Sequence, residues 1–581
     1  PPRWWPHTHG EPARLALTVE VRAGGATTTI DLGHVGFRAL AIDRGADGAS
    51  FALRVEGVRV FCRGACWTPI DVVGLASTAV EVDRAVAAAA AAGMNMLRVS
   101  GATMYGDDAL YAACDARGVL VWQDFAFANL DYPTGDAAFE VEAKREARAV
   151  LARVEACPSL AILCGGNEVT QQPAMLGLPR EAWTSPLFDA WLPDAAREAR
   201  PDVPYVDNAP SGGAMPFQVN SGVSFYYGVG AYLCPLTDAR RAEVRFAAEC
   251  LAVGQLPASR VIDRLLADNE RPPHHPRWKA RTPRDRGAGW DYDDVRDHYV
   301  GELFGVDPMR LRYGDMERYL ALGRVAGGEL VYATMTEWRR ARSTCAGALV
   351  WFLRDLWPGA SLGLVDSSGS PKAALHYAAR AMQPIAIFFS DEGQSGAFVH
   401  VVNDRGTPLE AMVDLSLYRD GAAKVASSEA RVRVEAHAAI ELSCEQILGR
   451  FADTTYAYRF GPPSFDVAHA RLTSASGGAL GEGFFLPLGL ARDRLPDVGL
   501  EARAAPRGDG AYVLTVRTRD FAQAVAIDAG AFDPSDDHFH LAPGASREIL
   551  LSPLAAGSRP SGSVSALNAR AAARIVVGEK P

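Results

Sequence analysis

Between Leu15 and Cys62 apolar and polar positions alternate, in LALTVEV, TTTIDLG, FRALAI and FALRVEGVRVFC, with Gly- and Asp-containing turns between the runs. A period of two predicts β-strands. Four or so strands are too few to close a sandwich, so residues 1–56 are expected to be the end of a β-sandwich whose beginning is missing. From about Val58 the pattern changes to short, almost wholly apolar runs separated by helical stretches, which is how parallel strands with crossover helices read. The runs are VRVFCRGACW (58–67), MNMLRVSG (94–101), VLVWQDF (119–125), LAILCGGNE (160–168), VPYVDNAP (203–210), VSFYYGVG (223–230), VRFAAECLAVG (244–254) and GALVWFLRD (347–355). Between them, Phe139, Ala143, Ala147, Val150, Leu151 and Val154 draw one helical stripe with charged residues on the other face. Eight β-α repeats over residues 57–384 predict a (β/α)8 TIM barrel. Alternation returns after Ile385, in MVDLSLYRDG and VRVEAHAAIELS, and again in AYVLTVRTRD and SREILLSPL. Two further β-sandwiches are expected, at 385–490 and 491–581.

Composition narrows the class. The 581 residues are 48% hydrophobic and 22% charged, an ordinary globular balance that excludes a wholly disordered chain. The formal charge of −10 argues against non-specific nucleic-acid binding and against an anionic membrane surface as partner. The alanine-rich run Ala85–Leu97, broken by Gly93 and Asn95, is too short to span a bilayer, so no membrane insertion is expected. Nine scattered cysteines with no C-x-x-C pair read as buried reduced thiols and favour the cytoplasm over the periplasm. The chain opens at Pro1 rather than Met, so an export signal could precede it. Nothing in the sequence addresses oligomeric state.

In a barrel the chemistry sits at the C-terminal ends of the strands. Strand four ends in Gly165-Gly166-Asn167-Glu168 and strand seven in Ala247-Ala248-Glu249-Cys250. Two carboxylates at one mouth are what glycosidic cleavage requires, one to protonate the leaving oxygen and the other to attack the anomeric carbon or activate water. Each alone is equally a solvated or ion-paired strand-end residue. Trp67, Trp122, Tyr226 and Trp351 lie near strand ends and offer stacking faces for a pyranose, or simply core packing. No cofactor or metal is expected. Gly359-Ala360-Ser361-Leu362-Gly363 lacks the strand-to-helix setting of a nucleophilic serine, His274-His275 reads as solvated loop, and no Walker or Rossmann glycine pattern occupies a strand-to-helix turn.

Motifs in order along some 540 residues resemble glycoside hydrolase family 2, in its β-mannosidase branch. RWWPHTHGEP (3–12) is similar to the family's W-W-P-x-G-x-G-x-P, CRGACWTPID (62–71) to K-G-A-N-W-I-P-x-D, and VLVWQDFAFANLDYP (119–133) to L-V-W-Q-D-F-x-F-A-x-x-x-Y-P. CGGNE (164–168) is similar to C-G-N-N-E, LVWFLRDLWPG (349–359) to L-Y-W-Q-L-N-D-x-W-P-G, and FDPSDDHFHLAPGASREI (532–549) to the F-x-x-S-D-N-Y-F-x-L-x-P-G of the last domain. The resemblance implies immunoglobulin-like sandwiches around the barrel and a retaining, exo-acting β-glycosidase, with Glu168 as acid/base and Glu249 as nucleophile. It also implies a terminal β-linked sugar on an oligosaccharide or glycoconjugate as substrate. Asn167 would hold the sugar 2-hydroxyl, Tyr226 would hydrogen-bond the nucleophile, and Asp355, which keeps the motif's Asp, is assigned to substrate binding. Arg98 either keeps Glu249 ionised or is a plain ion-pair residue. Departures lie in RVSGATMYG (98–106), where Ser100 replaces an aromatic, in AECLAVG (248–254) and in Phe352-Leu353-Arg354-Asp355. They leave open another glycon (glucosaminide, glucoside, galactoside or glucuronide) and a non-catalytic glycan-binding protein. The segment after strand seven carries Arg271, Arg277, Lys279, Arg281, Arg284 and Arg286 before Asp291, Asp293 and Asp294. It is either a charge-balanced solvated loop or a site for an anionic part of the substrate.

Overall fold

The computed structural model describes residues 1–272 and 275–578; His274 of the expected histidine pair lies outside the described residues. The eight apolar runs each form a strand: Cys62–Trp67, Met96–Val99, Leu120–Asp124, Leu160–Cys164, Tyr205–Val206, Ser224–Tyr226, Ala247–Cys250 and Gly347–Val350. They lie in the spatial order 5-4-3-2-1-8-7-6 and all neighbouring pairs are parallel. Strands five and six are linked by the Ser211–Val223 bridge. The runs are apolar throughout because both faces are covered. Met96, Leu120, Trp122, Ile162, Phe246 and Leu349 fill the interior, while Leu97, Val99, Val121, Leu163 and Val350 pack outward under the helices.

The helix Ala137–Arg153 buries Ala143, Ala147, Val150 and Leu151, four residues of the expected stripe, and starts where Asp136 accepts a hydrogen bond from the Ala138 N–H. The fifth repeat departs from the expected pattern, with no helix between Val206 and Ser224. Its sequence, DNAPSGGAMPFQVNSG, has no helical period and is broken by Pro210, Gly212, Gly213 and Pro216.

Residues 1–56 fall into two parts, and neither is a closed sandwich. Leu15–Ala23 and Ala26–Val35 make a two-stranded hairpin whose every position in the first strand is exposed. The following strands, Leu40–Asp43, Ala52–Val55 and Val58–Arg59, form a separate sheet. Its Phe51, Leu53 and Val55, together with Trp4, are fully buried in the same cluster as the barrel's interior side chains. This segment closes the floor of the barrel, because the apolar layer there needs cover from water.

Beyond the barrel, a three-stranded sheet (Ile385–Asp391, Ala397–Asn403, Ala438–Ser443) faces a four-stranded one (Leu409–Arg419, Ala423–Val434, Val467–Ser474, Ala479–Phe485) across a core that includes Val399, Val413, Leu415 and Leu472. A last set of eight strands runs from Glu501 to Val577 around Leu514, Val516, Phe532 and Ile549. All nine cysteines are free. Among the described residues no helix is long and apolar enough to cross a membrane.

Candidate active site

Glu249 owes its direction to a bulge. Ser224 pairs with Ala247 but Phe225 pairs with Glu249, so Ala248 is skipped and the alternation of strand seven shifts by one. A bulge of this kind re-aims a side chain without ending the strand. Glu249 thereby faces inward and is only 4% exposed. Both its oxygens are occupied. Arg98 Nη1 donates to Oε1 at 2.7 Å and the Tyr227 hydroxyl donates to Oε2 at 2.5 Å.

Arg98, at 0% exposure, is the hub of the site. Its Nη2 donates to Asp124 Oδ2 at 2.6 Å and to Asn167 Oδ1 at 2.8 Å, so strands two, three, four and seven meet on one guanidinium. A planar fork with five donors can do this and a lysine cannot. The guanidinium lies 5.1 Å from the Phe225 ring centroid and 5.8 Å from that of Trp122. Trp122 in turn donates its Nε1–H to Asp124 Oδ1 at 2.8 Å.

Glu168 ends strand four in a left-handed backbone conformation, φ 58°. For a residue with a Cβ this costs about 1–2 kcal/mol. Its amide donates to Ala209 O, and Asn167 bridges to Ala128 and Ala209, so neighbouring strands hold the turn. Gln171 Nε2 donates to Glu168 Oε1 at 2.9 Å.

Burial raises the pKa of both glutamates. Glu168 is raised by desolvation, with Gln171 and Arg98 pulling it back and Asp285 adding to the rise. Glu249 is pushed by burial up to about 7 against the pull of Arg98 and Tyr227, and Glu168 and Asp124 push it further. The two carboxyls therefore feel each other's charge, and one arginine serves Glu249 and Asp124 together. Two buried carboxyls with raised pKa values, one feeling the other's charge, are the equipment of acid-base and nucleophilic chemistry on one substrate.

With this geometry in view, the relatives can be placed. No family model matches the chain. It is 27% identical over 445 residues to Beta-mannosidase B of Aspergillus flavus, covering 72% of this chain and 51% of that protein. Beta-mannosidase B of Aspergillus niger is also 27% identical, over 447 residues, with 73% and 51% covered. Among solved structures, the β-D-mannosidase of Dictyoglomus thermophilum superposes with a TM-score of 0.83 at 21% identity, covering all of this chain and 68% of that one. The exo-chitosanase of Amycolatopsis orientalis gives 0.76 at 17% identity, over 98% and 70%. This chain is similar to β-mannosidases over most of its length. It spans about half the length of the curated relatives it matches.

Several side chains expected at a β-mannosidase-like site stand elsewhere. Tyr226 does not touch Glu249. Its hydroxyl donates to Asp238 Oδ2 at 2.7 Å and its ring meets Trp338 edge-on, outside the barrel wall. The tyrosine on Glu249 is Tyr227, and strand alternation carries that signal, since Tyr227 shares a face with the inward Phe225 while Tyr226 takes the other. Trp122 is fully buried between Phe51 and Phe246, beneath Arg98, and offers no stacking face to a sugar. Trp67 takes the face opposite Cys66, whose thiol reaches Ala248 O across the interior, and is 7% exposed. Asp355 is enclosed: Lys372 Nζ sits 2.5 Å from Oδ2 and the Gly363 amide donates to Oδ1, so it pins the loop after strand eight.

Trp351, half-buried just past strand eight, packs edge-on to Phe352 and remains a platform candidate with Asn167 and Arg98. The residues missed were Asp124, Tyr227, Gln171 and Asn208. Asp124 is the acidic residue of the VLVWQDF run, one residue before its end. Asn208 has the inward parity of Val206, is 1% exposed, and neither amide atom has a hydrogen-bond partner.

Half of the basic segment after strand seven is charge-paired, while Arg286 is exposed and in no ion pair among the described residues. Arg277 pairs with Glu270, Lys279 with Asp291 and Asp293, and Arg271 with Asp263 and Asp268. Arg281 and Arg284 donate to the carbonyls of Pro358 and Ala288. The member of the segment whose charge reaches Glu168 is acidic, Asp285.

Proposed function

We propose that this chain is the catalytic part of a retaining, exo-acting β-glycosidase with β-mannosides as its preferred substrates. The observation that supports it most is that Glu168 and Glu249 both feel the charge of Arg98, and Glu249 that of Glu168, at one end of the barrel in a chain similar to β-mannosidases. In the first step the Glu249 carboxylate attacks the anomeric carbon while Glu168, whose pKa burial raises, gives its proton to the leaving oxygen. In the second, Glu168 takes a proton from water, which displaces Glu249 from the glycosyl-enzyme and restores the configuration. Double displacement requires the carboxyl groups about 5–5.5 Å apart. Tyr227 and Arg98 stabilise the Glu249 carboxylate before attack and as it leaves. Trp351 would stack on the sugar and Asn167 would hold its 2-hydroxyl.

The charge of the site bears on the glycon. Asp285 adds its charge at Glu168, and Glu168 and Asp124 add theirs at Glu249, with Arg98 as the cation common to both glutamates. Such a site disfavours a uronate, and among the alternatives it favours the amino sugar of a β-glucosaminide as second reading. The test is a panel of aryl β-glycosides with the anomer of the first product read by NMR. Preference for the mannoside with net retention supports the proposal; inversion refutes the mechanism, and faster turnover of the glucosaminide selects the second reading. An activated 2-deoxy-2-fluoro-mannoside should label Glu249, and label on another residue refutes the assignment.

A further inference from the structure

Between the barrel and the last sandwich lies a cleft of about 350 Å³, lined by none of the mouth residues Glu168, Glu249, Arg98 and Asn167. That size lies within the ~300–1,000 Å³ of small-molecule sites. One wall is the helix Met316–Arg339, which contributes Arg318 and Arg324. The facing wall belongs to the last sandwich and holds the strand Ala522–Asp528, Arg494 and the turn at 567–570.

Three arginines gather at that turn. Half-buried Arg318 donates Nη1 to Leu567 O at 2.6 Å, and exposed Arg494 donates Nε to Ala569 O at 3.2 Å. Arg570, also exposed, is anchored by its own amide on Leu495 O at 2.9 Å. Each of the two carbonyls takes one donor, and the other N–H groups of the three guanidiniums have no protein partner among the described residues. Other cations of the cleft are neutralised, Arg260 by Asp533 and Lys372 by Asp355, whereas among the described residues Arg318, Arg494 and Arg570 are in no ion pair.

The carboxylates that line the cleft are engaged elsewhere. Asp315 accepts the Arg318 backbone N–H, Asp528 that of Gly530, and Asp537 those of Ile527 and His538. Glu317 acts on Arg324, further along the helix. Desolvation and the charge of Arg494 together lower Arg318 to about 10, with Asp315 opposing. Positive charge has thus been set beside positive charge, partly out of water, without a counter-charge of the protein's own, and an anion entering the cleft would supply it.

Guanidinium forks match the oxygens of a phosphate, and several cations around one point suit a dianion better than a single carboxylate. We propose that this cleft is a binding site for a phosphate group, held between Arg318, Arg494 and Arg570 where the barrel meets the last sandwich.

The test uses the full chain in a phosphate-free buffer and titrates inorganic phosphate by calorimetry and by thermal unfolding, with potassium chloride at matched ionic strength as reference. The wild type should bind phosphate saturably and gain Tm with its concentration, as a ligand of the folded state requires. In Arg318→Gln/Arg494→Gln that binding should weaken on the order of tenfold per arginine, the worth of a hydrogen bond to a charged group, with kcat/KM for an aryl β-glycoside unchanged. Arg494→Gln alone alters an exposed side chain and keeps the test available should the double variant fold poorly. A competition arm with glucose 6-phosphate identifies the source: displacement of phosphate assigns a phosphorylated small molecule, and binding of inorganic phosphate alone assigns the free ion. No saturable binding of either beyond the chloride reference, or equal affinity in the wild type and both variants, would overturn the proposal.

Discussion

Two buried clusters of arginine and carboxylate lie on either side of strand seven's connection, and they behave in opposite ways. In one, Asp293 receives Arg296 Nη2 at 2.6 Å and Trp278 Nε1 at 2.7 Å, with Lys279 and Arg312 within 4 Å. Its pKa is lowered to about 2, since the pull of these cations exceeds the burial that opposes it. In the other, Glu249 has Arg98 alone, shared with Asp124 and opposed by Glu168, and is pushed up to about 7. Both carboxyls are buried and hydrogen-bonded. What separates them is the number of cations per carboxylate, which fixes one as permanent charge and leaves the other able to exchange a proton near neutrality.

The comparison breaks most visibly at the mouth. Glu249→Gln is expected to lower kcat by on the order of 10⁴–10⁶-fold, as loss of a nucleophile does. Glu168→Ala should cost about 10²–10⁴-fold on substrates with poor leaving groups and far less on dinitrophenyl glycosides, which need no proton. Equal losses on both leaving groups would remove Glu168 from the acid role.

Arg98→Ala leaves two buried carboxylates without their cation and should destabilise the fold by about 3–5 kcal/mol in chemical denaturation. Arg98 lowers the pKa of Glu249, so its loss raises that pKa and moves the acid limb of kcat/KM to higher pH; an unmoved limb would show that Glu249 does not govern it. Asp293→Asn should also cost about 3–5 kcal/mol at pH 7, by leaving Arg296 and Arg312 unpaired. Asp293 falls from about 3.9 when unfolded to about 2 when folded, so its contribution is complete above roughly pH 4 and fades as pH drops through 2. The variant should therefore flatten the acid end of the Tm–pH curve while the limb of kcat/KM stays in place.

Adjacent tyrosines sharpen the contrast further. Tyr227→Phe removes a donor to Glu249 and should lower kcat/KM on the order of tenfold with an alkaline shift of the acid limb. Tyr226→Phe loses the bond to Asp238, about 1 kcal/mol of stability, with the pH profile unchanged; a reversal of these two results would restore the sequence-based assignment. The smallest effect belongs to Arg277→Ala, a surface pair with Glu270. Neither Tm nor the ratio of rates on neutral and acidic glycosides should move, at low or high salt, and a salt-dependent loss on the acidic glycoside would reinstate a binding role for the basic segment.

The sequence by itself determined the eight barrel runs and the later sandwiches, because hydrophobic periodicity is local, and it put Glu168 and Glu249 near strand ends, where a barrel places its chemistry. It also carried Tyr227, through the parity of Phe225 and Tyr227, although the motif pointed to Tyr226. Tertiary structure alone decided the rest. The bulge at Ala248 that turns Glu249 inward depends on register against strand six, and Trp122, Trp67 and Asp355 left the site because neighbours distant in sequence, Phe51, Phe246, Lys372 and the helix layer, enclose them. That Trp4, Phe51, Leu53 and Val55 pack against the barrel interior was set by the open end of the barrel beside them. The charge state of each carboxyl, finally, is a sum over groups up to about 150 residues apart, Arg98 to Glu249 among them, and such a sum exists only once the chain is folded, because electrostatic energy depends on distance and burial rather than on order along the chain.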